Sequence, residues 1–257
     1  MSIWDKIKSI GNSKTEKKMN DENQELLDFS NYAFIDLEVG INSNKIHDIG
    51  AIRYDNAIYH NTSKDGLFDF IQNVKYICGH NIVNHDARHL FGDKKIPHIL
   101  IDTLYVSPLL FPERPYHKLV KDDKLITESA NNPINDCKKA QDLLYDEISA
   151  WNLLPDYKRK IFNSLLRNKK EFSGFISIVE KDYTVKDLPK LIIETYDGKI
   201  CTNADVASLV SRYPCELSYA LAIIDTSDKH SITPSWILKN YPDVEYVMTT
   251  YGGTYWE

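Results

Sequence analysis

"AFIDLEVG", residues 33–40, is the stretch whose reading decides the fold. It is an apolar run of strand character that carries two carboxylates, Asp36 and Glu38, two positions apart. Side chains alternate between the faces of a strand, so Phe34, Asp36 and Glu38 share one face while Ala33, Ile35, Leu37 and Val39 share the other. One face is then expected to be core and the other to set two acids side by side. Like charges held that close repel and raise each other's pKa unless a cation sits between them. Two accounts of the pair are open at this point: solvated acids at a strand end, or ligands that share a metal.

Outward from this strand the pattern is regular. "KIHDIGAIRYDNAIYH" (45–60) reads as a strand, a turn at Asp55-Asn56 and a returning strand. "DGLFDFIQN" has helical spacing, "KYICGHN" is a short buried strand, and "NHDARHLFG" is a helix ended by Gly92. "HILIDTLYVSPLL" gives another strand running into helical turns. The clearest helix is "NNPINDCKKAQDLLYDEISAWNLL", with Asn132 as cap and Pro133 at the first helical position, where a missing N–H costs nothing. Its Asp136, Ala140, Leu143 and Leu144 fall on one face, so Asp136 shares the stripe expected to pack inward. Antiparallel strands followed by alternating strands and helices predict an α/β domain with a mixed sheet flanked by helices. Beyond about residue 152 the segments "YKRKIFNSLLRNKKEFSGFISIV", "ADVASLVSRYPCELSYALAIID" and "TPSWILKNYPDVEYVM" predict a smaller, mainly helical region. The expected organisation is a flexible leader (1–28), an α/β domain (29–150) and a helical accessory region (151–257).

Composition narrows the function classes. The chain has 257 residues, 42% of them hydrophobic and 26% charged, which is ordinary for a globular protein. A net charge of −6 excludes a generally basic nucleic-acid coat, so any phosphate contact must come from local patches or bound metal. The four cysteines show no CxxC or Cys/His pairing and so no zinc site or disulfide framework. The start lacks the apolar stretch of a secretion signal, no segment approaches membrane-spanning length, and a cytoplasmic protein without membrane partners is expected.

Two further acids complete a set. Asp86 follows a buried strand near the start of a helix, and Asp136 lies one turn into the long helix. Taken singly, each is also what an ordinary helix start carries. Taken together, "FIDLEVG", "GHNIVNHDARHL" and "NNPINDCKKAQDLL" resemble, in order, the three motifs of the DEDD, or DnaQ-like, 3'–5' exonucleases, which have an RNase H-like fold. The similarity covers roughly residues 31–150 and extends to "DIGAI" in the second strand and to the Asp-Thr of "IDTLYVSPLL". With "LLFPERPYHKL" and "SITPSWILKNYP" the chain is also similar to the amino-terminal exonuclease region of some bacterial RecQ-type helicases. It contains no GxxxxGK[ST] phosphate loop, which implies a stand-alone or truncated version without the motor.

The resemblance implies that Asp36, Glu38, Asp86 and Asp136 are catalytic carboxylates holding two Mg²⁺ or Mn²⁺ ions. Such ions choose carboxylate oxygens, and a pair roughly 4 Å apart suits phosphodiester hydrolysis. The resemblance also implies a general base, a histidine five residues or a tyrosine four residues before the last Asp. Here Asn131 and Asn132 hold those places, and an amide does not take up a proton at neutral pH. General-base help contributes about 10²–10⁴-fold, so a slow enzyme is expected. His117 in "RPYHKLV" is the preferred substitute and His89 a weaker one; His85 is read as solvated. Arg114, Tyr116 and Lys118, with Lys121, Lys138 and Lys139, offer a mixed basic and aromatic surface for single-stranded nucleic acid, and His80 and Asn81 of the second motif are also expected to contact it. The expected function is therefore a 3'–5' exonuclease on single-stranded DNA or RNA ends, DNA favoured by the helicase similarity, with a helicase or other DNA-processing protein as a possible partner. The alternative is an inactive exonuclease-fold module that binds nucleic acid or a partner protein.

Overall fold

The computed structural model describes residues 29–40, 45–114, 116–119, 132–180, 185–201, 204–226 and 235–247. The leader at 1–28, Lys121 and Asn131 lie outside these residues. The central strand is β1 (Tyr32–Val39). It pairs antiparallel with β2 (Ile46–Arg53), which turns at Asp55-Asn56 into β3 (Ile58–Asn61). Asn56 takes the left-handed conformation (φ 62°), which the short Asn side chain tolerates. On its other side β1 pairs parallel with β4 (Tyr76–Gly79), and β4 with β5 (Ile99–Asp102). The result is a five-stranded mixed sheet of order β3-β2-β1-β4-β5. The expected α/β class with helices flanking a mixed sheet is what the chain adopts.

Both faces of the sheet are covered. Ala33, Ile35 and Leu37 face α1 (Lys64–Ile71) and α2 (Asp86–Phe91), packing with Leu67, Ile71, Ala87 and Leu90. Tyr32 and Phe34 face α3 (Thr103–Leu110) and α4 (Pro133–Leu153). The two-sided burial corrects the expectation that only one face of β1 is core. The even-numbered face is core as far as Phe34 and opens only from Asp36 onward, where burial becomes partial.

The helices beyond α4 are α5 (Asp156–Leu166), α6 (Ser173–Val179), α7 (Leu188–Thr195), α8 (Val206–Arg212), α9 (Pro214–Ile224), α10 (Ser235–Asn240) and α11 (Asp243–Tyr246). Their apolar residues join the same continuous core as Phe34, Cys78 and Trp151. Tyr219 on α9 donates its hydroxyl to the Tyr105 carbonyl of α3 (2.9 Å), a direct tie between the two regions. Among the described residues no helix is long and apolar enough to cross a membrane.

Two polar devices and one close backbone approach fix the geometry around the site. Asn132 caps α4, its Oδ1 accepting from Ile134 N at 2.9 Å, with Pro133 following as expected. Asp102, buried, accepts from Asn81 N, Val83 N and Leu104 N at 2.9–3.0 Å, so one carboxylate holds both the turn after β4 and the start of α3. Burial lifts its pKa to about 7 against the pull of those three N–H groups. Gly50 of β2 lies directly under α4, where a Cβ would stand 2.6 Å from the Pro133 carbonyl carbon.

Glu147, near the middle of α4, is the exception to polar satisfaction. It is 0% exposed, and among the described residues neither carboxyl oxygen has a hydrogen-bond partner. Burial pushes its pKa well above the usual value; Asp102 and Asp146 add to the shift and Arg114 opposes it. The fold therefore favours the protonated form of Glu147. Above the ordinary Glu range the unfolded chain releases this proton while the fold retains it, so stability falls as pH rises, by about 1.4 kcal/mol per pH unit from this group, until the folded pKa is passed. Thermal melts from pH 4 to pH 8 should show Glu147→Gln gaining on the wild type as pH rises, with the two converging in their dependence below the ordinary Glu range.

Candidate metal centre

The acids converge as the alternation of β1 predicts. Asp36 and Glu38 project from its open end, and Asp136 comes from the first turn of α4. One carboxylate oxygen from each lies within 4.8 Å of the others, and all three residues are partly buried. This donor set fits a hard divalent cation, which takes carboxylate oxygens and water. Asp136 is the neighbour of Cys137, which is buried under α4 with its Sγ on the Gly50 carbonyl (3.4 Å). The inward stripe of α4 runs through Cys137, Ala140, Leu144 and Trp151, so Asp136 stands at its edge, where it reaches both the sheet and solvent.

Asp86 has a different setting. It is 2% exposed, and its Oδ1 accepts the Leu37 N–H at 3.0 Å, between the two acids of β1. It is not one of the three residues that share the 4.8 Å cluster, but it fastens the strand that carries two of them. His85, read from sequence as solvated, stands against this group: its Nδ1 is 3.6 Å from Asp86 Oδ1. The Asp86 carboxylate raises the His85 pKa, burial opposes it, and Glu38 adds to the rise. The His89 ring meets His85 edge-on at 5.0 Å.

The other expected residues are placed as follows. His117 turns inward, 3% exposed, its Nδ1 2.9 Å from Ser107 Oγ on α3 and its Nε2 without a partner among the described residues. Burial, with Arg114 nearby, lowers its pKa to about 4. His80 bonds Thr103 Oγ1 through Nδ1 (3.0 Å), and burial likewise lowers its pKa to about 4. Asn81 takes a left-handed conformation (φ 70°) while its N–H binds Asp102. Arg114 is exposed and stacks on Phe111, with its guanidinium carbon 3.7 Å from the ring centroid. Tyr116 is 79% exposed, and Lys118 is exposed beside it. Lys139 stands one turn from Asp136, Nζ to Oδ1 3.7 Å.

Sequence reading missed Asp48 and His60. The β1–β2 register sets Asp48 directly opposite Glu38, on the same face, and Asp48 Oδ2 lies 2.8 Å from His60 Nε2. The signal was present: in "HDIGAI" Asp48 and Gly50 share parity, and pairing Gly50 with Asp36 places Asp48 against Glu38.

Compared with known proteins, the chain matches no family model, no curated protein and no solved structure.

Two substitutions separate ligand from brace. Asp136→Ala should weaken Mn²⁺ binding at least about tenfold in a titration followed by electron paramagnetic resonance while leaving the melting temperature close to wild type. Asp86→Ala leaves the buried Leu37 N–H unsatisfied and should cost about 1–3 kcal/mol in urea unfolding.

Proposed function

We propose that the chain is a metal-dependent 3'–5' exonuclease on an RNase H-like fold, removing nucleotides from single-stranded ends, DNA in preference to RNA. The observation that carries this reading is the meeting of Asp36, Glu38 and Asp136 within 4.8 Å from elements far apart in sequence. The order of the three motifs and the DnaQ-like context of Asp86 support it. A pair of Mg²⁺ or Mn²⁺ ions at these carboxylates would supply hydroxide at neutral pH and shield charge building on the phosphate.

The chain's own residues divide the remaining work. Asp36, Glu38 and Asp136 are the ligands; Asp86 holds β1 in place through Leu37 and stands ready as a fourth. The segment carrying Arg114, Tyr116 and Lys118 offers a stacking face and positive charge to a strand end, and the His117–Ser107 contact anchors it. Of the two positions where a base is expected, Asn132 carries an amide that is occupied as the cap of α4, and catalysis is accordingly slow. That same cap favours a second reading, a non-catalytic module that binds nucleic acid or a DNA-processing partner such as a helicase.

The test uses a 5'-labelled single-stranded oligonucleotide with Mn²⁺. The wild type should shorten it from the 3' end, and Asp36→Ala should be slower by about 10²-fold or more. Oligonucleotide bound but left intact at high enzyme would establish the second reading and discard the first.

A further inference from the structure

Phe68 of α1 and Phe91 of α2 pack ring against ring, centroids 5.5 Å apart. With Leu90 and with Val74, which leads into β4, they line the apolar floor of a groove of about 410 Å³. Its rim follows from how α2 ends. Gly92 takes the left-handed conformation (φ 57°) open to glycine and donates its N–H to the Arg88 carbonyl at 3.0 Å. The chain then turns, Lys94 N donating to the Phe91 carbonyl at 3.1 Å, and sets Lys94 and Lys95 along the groove. His98, also in the lining, donates Nδ1–H to the Val74 carbonyl at 2.8 Å, which fixes the approach to β5 against the approach to β4.

Both lysines are exposed, and neither makes an ion pair or side-chain hydrogen bond among the described residues. The nearby acids in sequence, Asp69 and Asp93, are exposed and do not line the groove. An apolar floor under two uncommitted ammonium groups suits a segment that carries aliphatic side chains and carboxylates.

The chain holds such a segment where it enters the fold. "NDENQELLD" (20–28), outside the described residues, sets Asp21, Glu22, Glu25 and Asp28 around Leu26 and Leu27. The Asn31 carbonyl accepts the Lys75 N–H at 3.0 Å, and Lys75 adjoins the groove-lining Val74. Leu27 to Asn31 is a span of up to roughly 14 Å of chain, so the segment can reach the groove. A tethered segment also meets its site at an effective concentration of about millimolar, ahead of any dilute competitor.

We propose that residues 21–28 dock in this groove, with the leucines toward the Phe68–Phe91 floor and the acids toward Lys94 and Lys95. The groove stands at the end of the sheet opposite the acid cluster: β1 runs from Tyr32, level with Tyr76, to Glu38, a length of roughly 20 Å. Docking there holds an acidic stretch away from carboxylates that would repel it.

Hydrogen exchange of the full chain, read by mass spectrometry, tests the docking. Amides of residues 21–28 should exchange at least about tenfold slower in the wild type than in a free peptide of residues 18–30, at any protein concentration. Lys94→Glu with Lys95→Glu should remove most of that protection, and adding Asp21→Lys, Glu22→Lys and Glu25→Lys should restore it. Lys190→Glu, a charge reversal on α7, should leave it unchanged. Thermal melts and unaltered exchange in α4 show that each variant is folded. Exchange of 21–28 at the free-peptide rate in the wild type overturns the docking and leaves the groove to another molecule. Protection that survives the double reversal overturns it as well. Protection that grows with protein concentration overturns docking within one chain and assigns the groove to the leader of a second copy.

Discussion

The first turn of α4 can lie on β2 because residue 50 has no side chain. Any Cβ there would drive into the Pro133 backbone, and lifting the helix would carry Asp136 away from Asp36 and Glu38. The same contact sets the amino end of the helix, with its positive dipole, beside Asp36 and Glu38. That end offsets part of a repulsion that the acids would otherwise impose on the fold. Pro133 and the Asn132 cap start the helix at that place, and Cys137 buries the next residue along against the Gly50 carbonyl.

A second constraint runs through Asp102. Its carboxylate gathers N–H groups from the turn after β4 and from α3, and so fixes the path of the chain into Asp86. Asp86 then reaches across to the Leu37 N–H. A buried acid in each case binds backbone N–H groups, which fixes the path of the main chain directly. Glu147 shows what a buried acid costs without such partners: burial favours its protonated form, and the fold carries the resulting pH dependence.

The helical region and the sheet are joined by a continuous apolar core and by polar ties at Tyr105, whose carbonyl binds Tyr219 and whose hydroxyl binds Asn84. Lys170 is brought onto Asn84 by this junction. The basic runs around residue 170 look like solvated helix faces in sequence; position beside Asn84 is what distinguishes Lys170 from its neighbours.

Periodicity and capping chemistry act over a few residues, so the sequence by itself determined the strand at 33–39, the turn at Asp55-Asn56, the Gly92 stop, the Asn132–Pro133 start and the alternation that sets Asp36 beside Glu38. What it left open were relations between distant segments. Which face of β1 is covered, the contact of Asp86 with the Leu37 N–H, the inward turn of His117, the register of Asp48 against Glu38 and the contact of Lys170 with Asn84 all depend on strand pairing and on helix seating. Local rules carry no information on these, because strand pairing and close backbone approach are settled by packing across the whole sheet, and only the tertiary structure decides them.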